Sequence, residues 1–263
     1  MHKCLIGIGI VSLYALAALL GPLILKHSPY EVNLAQMLTK PTWSHPFGTD
    51  ALGRDLLIRI LYGARYSLTL TLTTMALVVS LGLLFGMISG YYGGALEHLV
   101  MGVVEIVMSI PIVIMAVVIA SLVPSKMFGL SLTLTVVYTP TMVRLARSKT
   151  LTVKEASYVE AAVAIGAGAI RILKKHVLPN VLIPVISDGI LRVGEAIILV
   201  AALSYVGLGV NPPTPEWGVL LREAMEYVTV APHILFCVGS VLAGLVFGLN
   251  VLGEGVVESV MGK

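Results

Sequence analysis

Charge is scarce in this chain: of 263 residues only 12% are Asp, Glu, Lys or Arg, against 57% hydrophobic. A soluble globule of that length needs more polar surface, so the chain is read as an integral membrane protein. Cysteine is nearly absent. Cys4 lies at the edge of one apolar segment and Cys237 inside another, without CxxC or Cys/His spacing, so neither a disulfide nor a zinc site is expected and both read as packing residues. Also missing are GxxxxGK[ST], HExxH, GxSxG and a GxGxxG between strand and helix. No catalytic residue, cofactor or metal is therefore assigned, and the chain is not expected to bind ATP itself. No basic-aromatic patch points to nucleic acid. The alternating ~10-residue strands of a membrane barrel are missing too, which leaves an all-α, polytopic membrane protein.

What is present is a series of apolar segments. Six read as spans of roughly 20 residues: Leu5 to Leu25, Ser67 to about Gly90, about Met101 to Val123, about Gly129 to Val143, about Leu182 to Leu208 and about Ile234 to Leu252. Ala15-Leu16-Ala17 imitates a signal-peptidase site, but the run continues through Leu23-Ile24-Leu25, so the first span is expected to stay uncleaved. Gly82, Gly86 and Gly90 form a doubled GxxxG face that admits a neighbouring helix to backbone contact, and Gly244 and Gly248 give the sixth span a similar face. Pro111 and Pro140 are expected to kink the third and fourth spans. The chain divides into 1–66, a span with a polar segment, and 67–263, a five-span core carrying a polar loop at 150–180.

That loop is a basic island. Arg144, Arg147, Lys149, Lys154, Arg171, Lys174 and Lys175 face only Glu155 and Glu160, whereas Asn211 to His233 holds Arg222 against Glu216, Glu223 and Glu226. The positive-inside rule places the island, and with six spans both termini, in the cytoplasm. Lys26, Lys40, Arg54, Arg59 and Arg65 pull the other way, making the segment assigned to the outside fairly basic. In that segment, His45 to Asp55 reads as a capped turn leading into a surface helix, with Asp50 or Asp55 near its start. Pro212-Pro213-Thr214-Pro215-Glu216-Trp217 reads as a rigid outer turn with an interfacial tryptophan. Asp188, Arg192 and Glu195 share one face of the fifth span. Two readings stand for them: a gate or pathway lining, or a self-neutralising group near the cytoplasmic end. For Glu105 in the third span, packing or a helix-end role is the reading.

Within the island, Glu160-Ala161-Ala162, then Gly166, then Leu178-Pro179 resembles the EAA loop of ABC importer permeases, which in that family forms the coupling helix that fits a cleft in the ATPase subunit. His45 to Asp55, Gly63-Ala64-Arg65-Tyr66-Ser67-Leu68, Gly90-Tyr91-Tyr92-Gly93-Gly94, Tyr158-Val159-Glu160-Ala161-Ala162 and Leu203 to Gly209 with Trp217-Gly218 are similar to the second permease subunit of the dipeptide, oligopeptide and nickel group. The resemblance implies a MetI-like ABC importer permease core in a bacterial or archaeal cytoplasmic (inner) membrane. It implies a sister permease as heterodimer partner, one or two ATPase subunits and an extracytoplasmic binding protein. Glu160, Ala161, Ala162, Gly166, Leu178 and Pro179 are implied as the ATPase-coupling residues. Di- or oligopeptides are the expected substrates, with nickel or a metal chelate as the alternative. His176 stands where the wider family places an apolar residue and Gly168 adds a second flexible point, so a looser helix end is expected.

The residues of the loop argue in the same direction. Alanines permit close approach, Glu160 offers a charge and Gly166 a sharp turn. Lys174-Lys175 favours instead an amphipathic helix resting on the inner leaflet. A self-powered secondary transporter is the rival from another class; it would need an inverted repeat or intramembrane coupling residues, and no clear repeat is seen.

Overall fold

The computed structural model describes residues 2–24 and 27–261, and among these it contains helices and no strand. The elements are α1 (His2–Ile24), α2 (Leu56–Tyr92), α3 (Gly94–Met108), α4 (Ile112–Leu122), α5 (Lys126–Lys154), α6 (Ser157–Ala164), α7 (Ala169–Ile172), α8 (Leu178–Tyr205), α9 (Trp217–Glu226) and α10 (Pro232–Met261). Leu25 and Lys26, where the first apolar run ends, lie outside the described residues.

The centre is the pair α2 and α5, with α8 against both; α10 joins α8 to the peripheral α1. Small residues decide this pairing. A Cβ on Gly82 would lie 2.3 Å from Met142 Cβ, and one on Gly86 would lie 2.6 Å from the Val143 carbonyl oxygen. The glycine face of α2 is thus spent on backbone contact with α5, as its spacing predicts. On α10, Gly244 and Gly248 receive Tyr14 and Ile10 of α1, and a Cβ on Gly255 would lie 2.4 Å from the backbone nitrogen of Cys4.

Helix α2 begins where the Asp55 carboxylate accepts the Ile58 N–H at 3.0 Å, an N-cap at the position the sequence marked. It then runs without a break through residues 66 and 67, where the sequence reading divides the chain. The third span departs from expectation. It is two helices, α3 and α4, meeting at 91° across a break at 109–111. Pro111 cannot supply an N–H to a continuing ladder and disfavours helical backbone at Ile110, so the corner forms there rather than a kink. Pro140, by contrast, is absorbed inside the continuous α5.

Helices α1, α2 and α10 are long and apolar enough to cross a membrane, and the bent α3–α4 pair would make a fourth. The expected total of six rests in addition on α5 and α8, which carry more polar residues: threonines, Tyr138 and Pro140 in the one, Asp188, Arg192 and Glu195 in the other.

The tryptophan of the outer turn is not interfacial. Trp217 is fully buried, its indole N–H donating to the Ile60 carbonyl at 3.0 Å. Gly63 makes the room, since a Cβ there would lie 2.2 Å from the Pro215 carbonyl oxygen.

Candidate functional site

Between α5 and α8 the chain leaves the helical body. Helix α5 ends at Lys154, whose ammonium donates to the Tyr91 carbonyl at 2.7 Å and lies 5.7 Å from the Tyr91 ring centre. Nearby, the Arg147 guanidinium pairs with Glu97 at the start of α3, Nε to Oε1 at 2.7 Å. These contacts fasten the end of α5 to the α2–α3 corner.

Helix α6 then packs on α5 and α7. Val159 and Ala162 turn inward and are buried, while Glu160 and Ala161 face out. The two alanines of the motif therefore differ in setting: Ala162 seats the helix on its own chain and Ala161 stays exposed. Tyr158, Val163, Ile165 and Ile170 are also exposed, Ile165 to 86%. Apolar groups this open on a charged loop are suited to burial against another surface.

The end of α6 is a Schellman turn. Gly166 has φ +83°, its N–H donates to the Val163 carbonyl at 2.9 Å, and the Ala167 N–H reaches back to the Ala162 carbonyl at 3.0 Å. Glycine is required by that φ, since nothing lies within 4 Å of the space a Cβ would fill. Gly168, in extended backbone, precedes α7, after which Leu173–Val177 forms a π turn leading into α8. In this turn His176 sits with its ring 6.0 Å from that of Tyr158, so the residue that departs from the wider family pattern packs on α6. Leu178 is half-buried and Pro179 exposed in the first turn of α8, separated from Glu160 and Gly166 by α7 and the π turn.

Farther along α8, Arg192 donates through Nε to Asp188 at 2.6 Å and lies 3.5 Å from Glu195. The three form one ladder along the helix, with the Glu195 side chain 60% exposed.

Sequence reasoning missed a second polar cluster on the opposite side of the chain. Arg54 and Arg59 are buried beside Asp50: Arg54 Nε donates to Asp50 at 2.6 Å, Arg59 pairs with the same carboxylate, and Arg59 Nη1 donates to Glu223 of α9 at 2.7 Å. Asp50 also accepts the backbone N–H groups of Leu52 and Arg54. Glu216 caps α9 from a buried position, taking the Gly218 and Val219 N–H groups on one oxygen and the Ser67 hydroxyl on the other. Burial pushes its carboxyl above the usual range, and these bonds counter only part of that. The local signal for the cluster was the crowding of Asp50, Arg54, Asp55 and Arg59; the partner on α9 had no local signal.

Residues 82–256 match the family model described as the binding-protein-dependent transport system inner membrane component. The chain is 34% identical over 257 residues to the dipeptide transport system permease protein DppC of Haemophilus influenzae, covering 95% of this chain and 87% of that one. It is 32% identical over 251 residues to the oligopeptide transport system permease protein OppC of Bacillus subtilis, covering 95% and 82%. In fold it is similar to a chain of the inward-facing MetNI methionine ABC transporter, with TM-score 0.61 and 22% identity over 78% of this chain and 96% of that one.

Proposed function

Because the chain belongs to the family of binding-protein-dependent transport system inner membrane components, as its match over residues 82–256 establishes, we propose that it forms half of the translocation pathway for di- or oligopeptides. The substrate class is carried by the relatives: the proteins it matches along nearly its whole length are named for dipeptide and oligopeptide transport. Nickel is not favoured by those names.

The other half of the pathway is a sister permease, and ATP is bound and hydrolysed by one or two separate cytoplasmic subunits. An extracytoplasmic binding protein delivers the peptide. The observation that carries the coupling role is the exposed apolar face of α6, Tyr158, Val163 and Ile165 beside Glu160 and Ala161, closed by the Gly166 turn. In this reading α6 seats in a cleft of the ATPase. Closure of the ATPases displaces α6, and the displacement reaches α5 directly and α8 through α7, the π turn, Leu178 and Pro179. Coupling is then a free energy shared between nucleotide site and pathway. The Asp188–Arg192–Glu195 ladder is assigned to the wet interior between the two permeases, because an exposed glutamate at membrane depth is too costly against lipid.

Six crossings put α6 and both termini on the cytoplasmic side. The pairing of Arg54 and Arg59 with Asp50 and Glu223 supports this orientation, since it neutralises two of the charges that pulled the other way.

The direct test is to purify the cognate binding protein and measure what it retains. Retained di- or oligopeptide is the expected result; retained nickel with no peptide would overturn the substrate assignment.

A further inference from the structure

At the outer end of α2 lies a cavity of about 330 Å³ that plays no part in the coupling scheme. Tyr62, Arg65, Tyr66 and Thr69 line it from successive turns of α2, Tyr30 from the segment after α1, and Thr214 from the turn before α9. Met127 in the first turn of α5 and Pro215 complete the wall, so four separate parts of the chain build it.

Its polar groups are open to the outside to differing degrees, Arg65 and Tyr30 exposed and Tyr62 and Tyr66 half-buried. Among the described residues the Arg65 guanidinium forms no ion pair or hydrogen bond, and neither do the hydroxyls of Tyr30, Tyr62 and Tyr66. Glu216, which follows Pro215 in sequence, does not line the groove: it is buried, with its oxygens held by Ser67, Gly218 and Val219. One unpaired guanidinium among phenol hydroxyls and aromatic faces selects an anionic oxygen group attached to a compact organic body. A guanidinium fork matches a carboxylate in two parallel hydrogen bonds, and the cavity has room for a small residue beside it.

We propose that the Tyr30–Tyr62–Arg65–Tyr66 cavity is a peptide subsite at the outer mouth, in which Arg65 binds the α-carboxylate of the incoming peptide. This rests on the peptide reading above and adds to it where the permease itself touches substrate. A rank of tyrosines and an arginine at a membrane boundary also suits a lipid headgroup. The site is an open groove shaped by four segments of the chain, whereas interfacial anchors project from a single helix, and this favours the peptide.

The test uses the assembled importer without its binding protein, in phosphatidylcholine nanodiscs, with dialanine and dialanine amide as probes. Saturation-transfer NMR is expected to show the wild type favouring dialanine over the amide. Arg65→Gln removes that preference and weakens dialanine binding about tenfold, the size of one lost charge-assisted pair, while Arg65→Lys retains part of it. Equal dialanine signals from wild type and Arg65→Gln would overturn the subsite. So would a dialanine signal in the wild type abolished by phosphatidylglycerol, with Arg65→Gln altering only lipid retention; the cavity would then hold a headgroup. Uptake of dialanine by the complete importer, measured alongside, tests the transport reading separately. Uptake that persists with no preference at Arg65 removes the subsite alone, whereas dialanine binding without uptake leaves the subsite and removes the transport reading.

Discussion

Gly166 and Glu216 show how much of the function depends on single backbone or side-chain positions. At Gly166 the chain is held at φ +83° with no neighbour to clash with, so a substitution there costs conformational energy alone. Alanine is expected to cost about 1–2 kcal/mol and asparagine less. ATPase co-purification should fall in the order glycine, asparagine, alanine, proline; equal yields would mean that the turn does not present α6. At Glu216 the raised pKa means the folded protein holds a proton more tightly than the unfolded chain. Its contribution is therefore fully present below the ordinary carboxylate range and is lost as pH rises through the folded value. Thermal unfolding should show the wild type losing stability over that rise, with Glu216→Gln flattening the profile, because Gln can still accept at the α9 N-terminus and donate to Ser67. The sequence gives Glu216 as one acid in a polar turn; its burial depends on Ser67 and Gly63, which lie in another part of the chain.

Among the elements, the α2–α5 contact is the one most legible from sequence. Gly82, Gly86 and Gly90 spell a close face, and the structure spends that face on α5. Gly86→Val would push a side chain into the Val143 carbonyl and Ala146, and is expected to destabilise by about 1–3 kcal/mol or more. Gly102→Val is the control, since no atom lies within 4 Å of its missing Cβ. Melting temperatures in one detergent should separate the two; equal shifts would count against the packing account. The corner between α3 and α4 was not legible, because hydropathy from Met101 to Val123 is continuous and a change of direction leaves no trace in it. Pro111 marked the position without giving the 91° angle. Trp217 failed for a related reason: polar neighbours in sequence made it look interfacial, while the hole that receives it is made by Gly63 and Ile60 on α2.

Across the whole molecule, the two faces of the chain are built to different rules. The side bearing α6 is open, with exposed apolar residues around Glu160 and a chain path that turns on glycine. The opposite side is closed by buried ion pairs that tie Asp50, Arg54 and Arg59 to Glu223. An open face for a driving partner and a fixed frame opposite it are what the proposed externally driven permease requires, and a self-powered carrier would have no need of the first. Proteoliposomes test this most directly: ATP-dependent dipeptide uptake by the complete importer, compared with the chain alone and with importers carrying Glu160→Lys or Gly166→Pro. The expected result is uptake by the wild-type importer, no flux through the chain alone, and inserted but inactive variants. Dipeptide flux through the chain alone, or wild-type turnover in both variants, would contradict it.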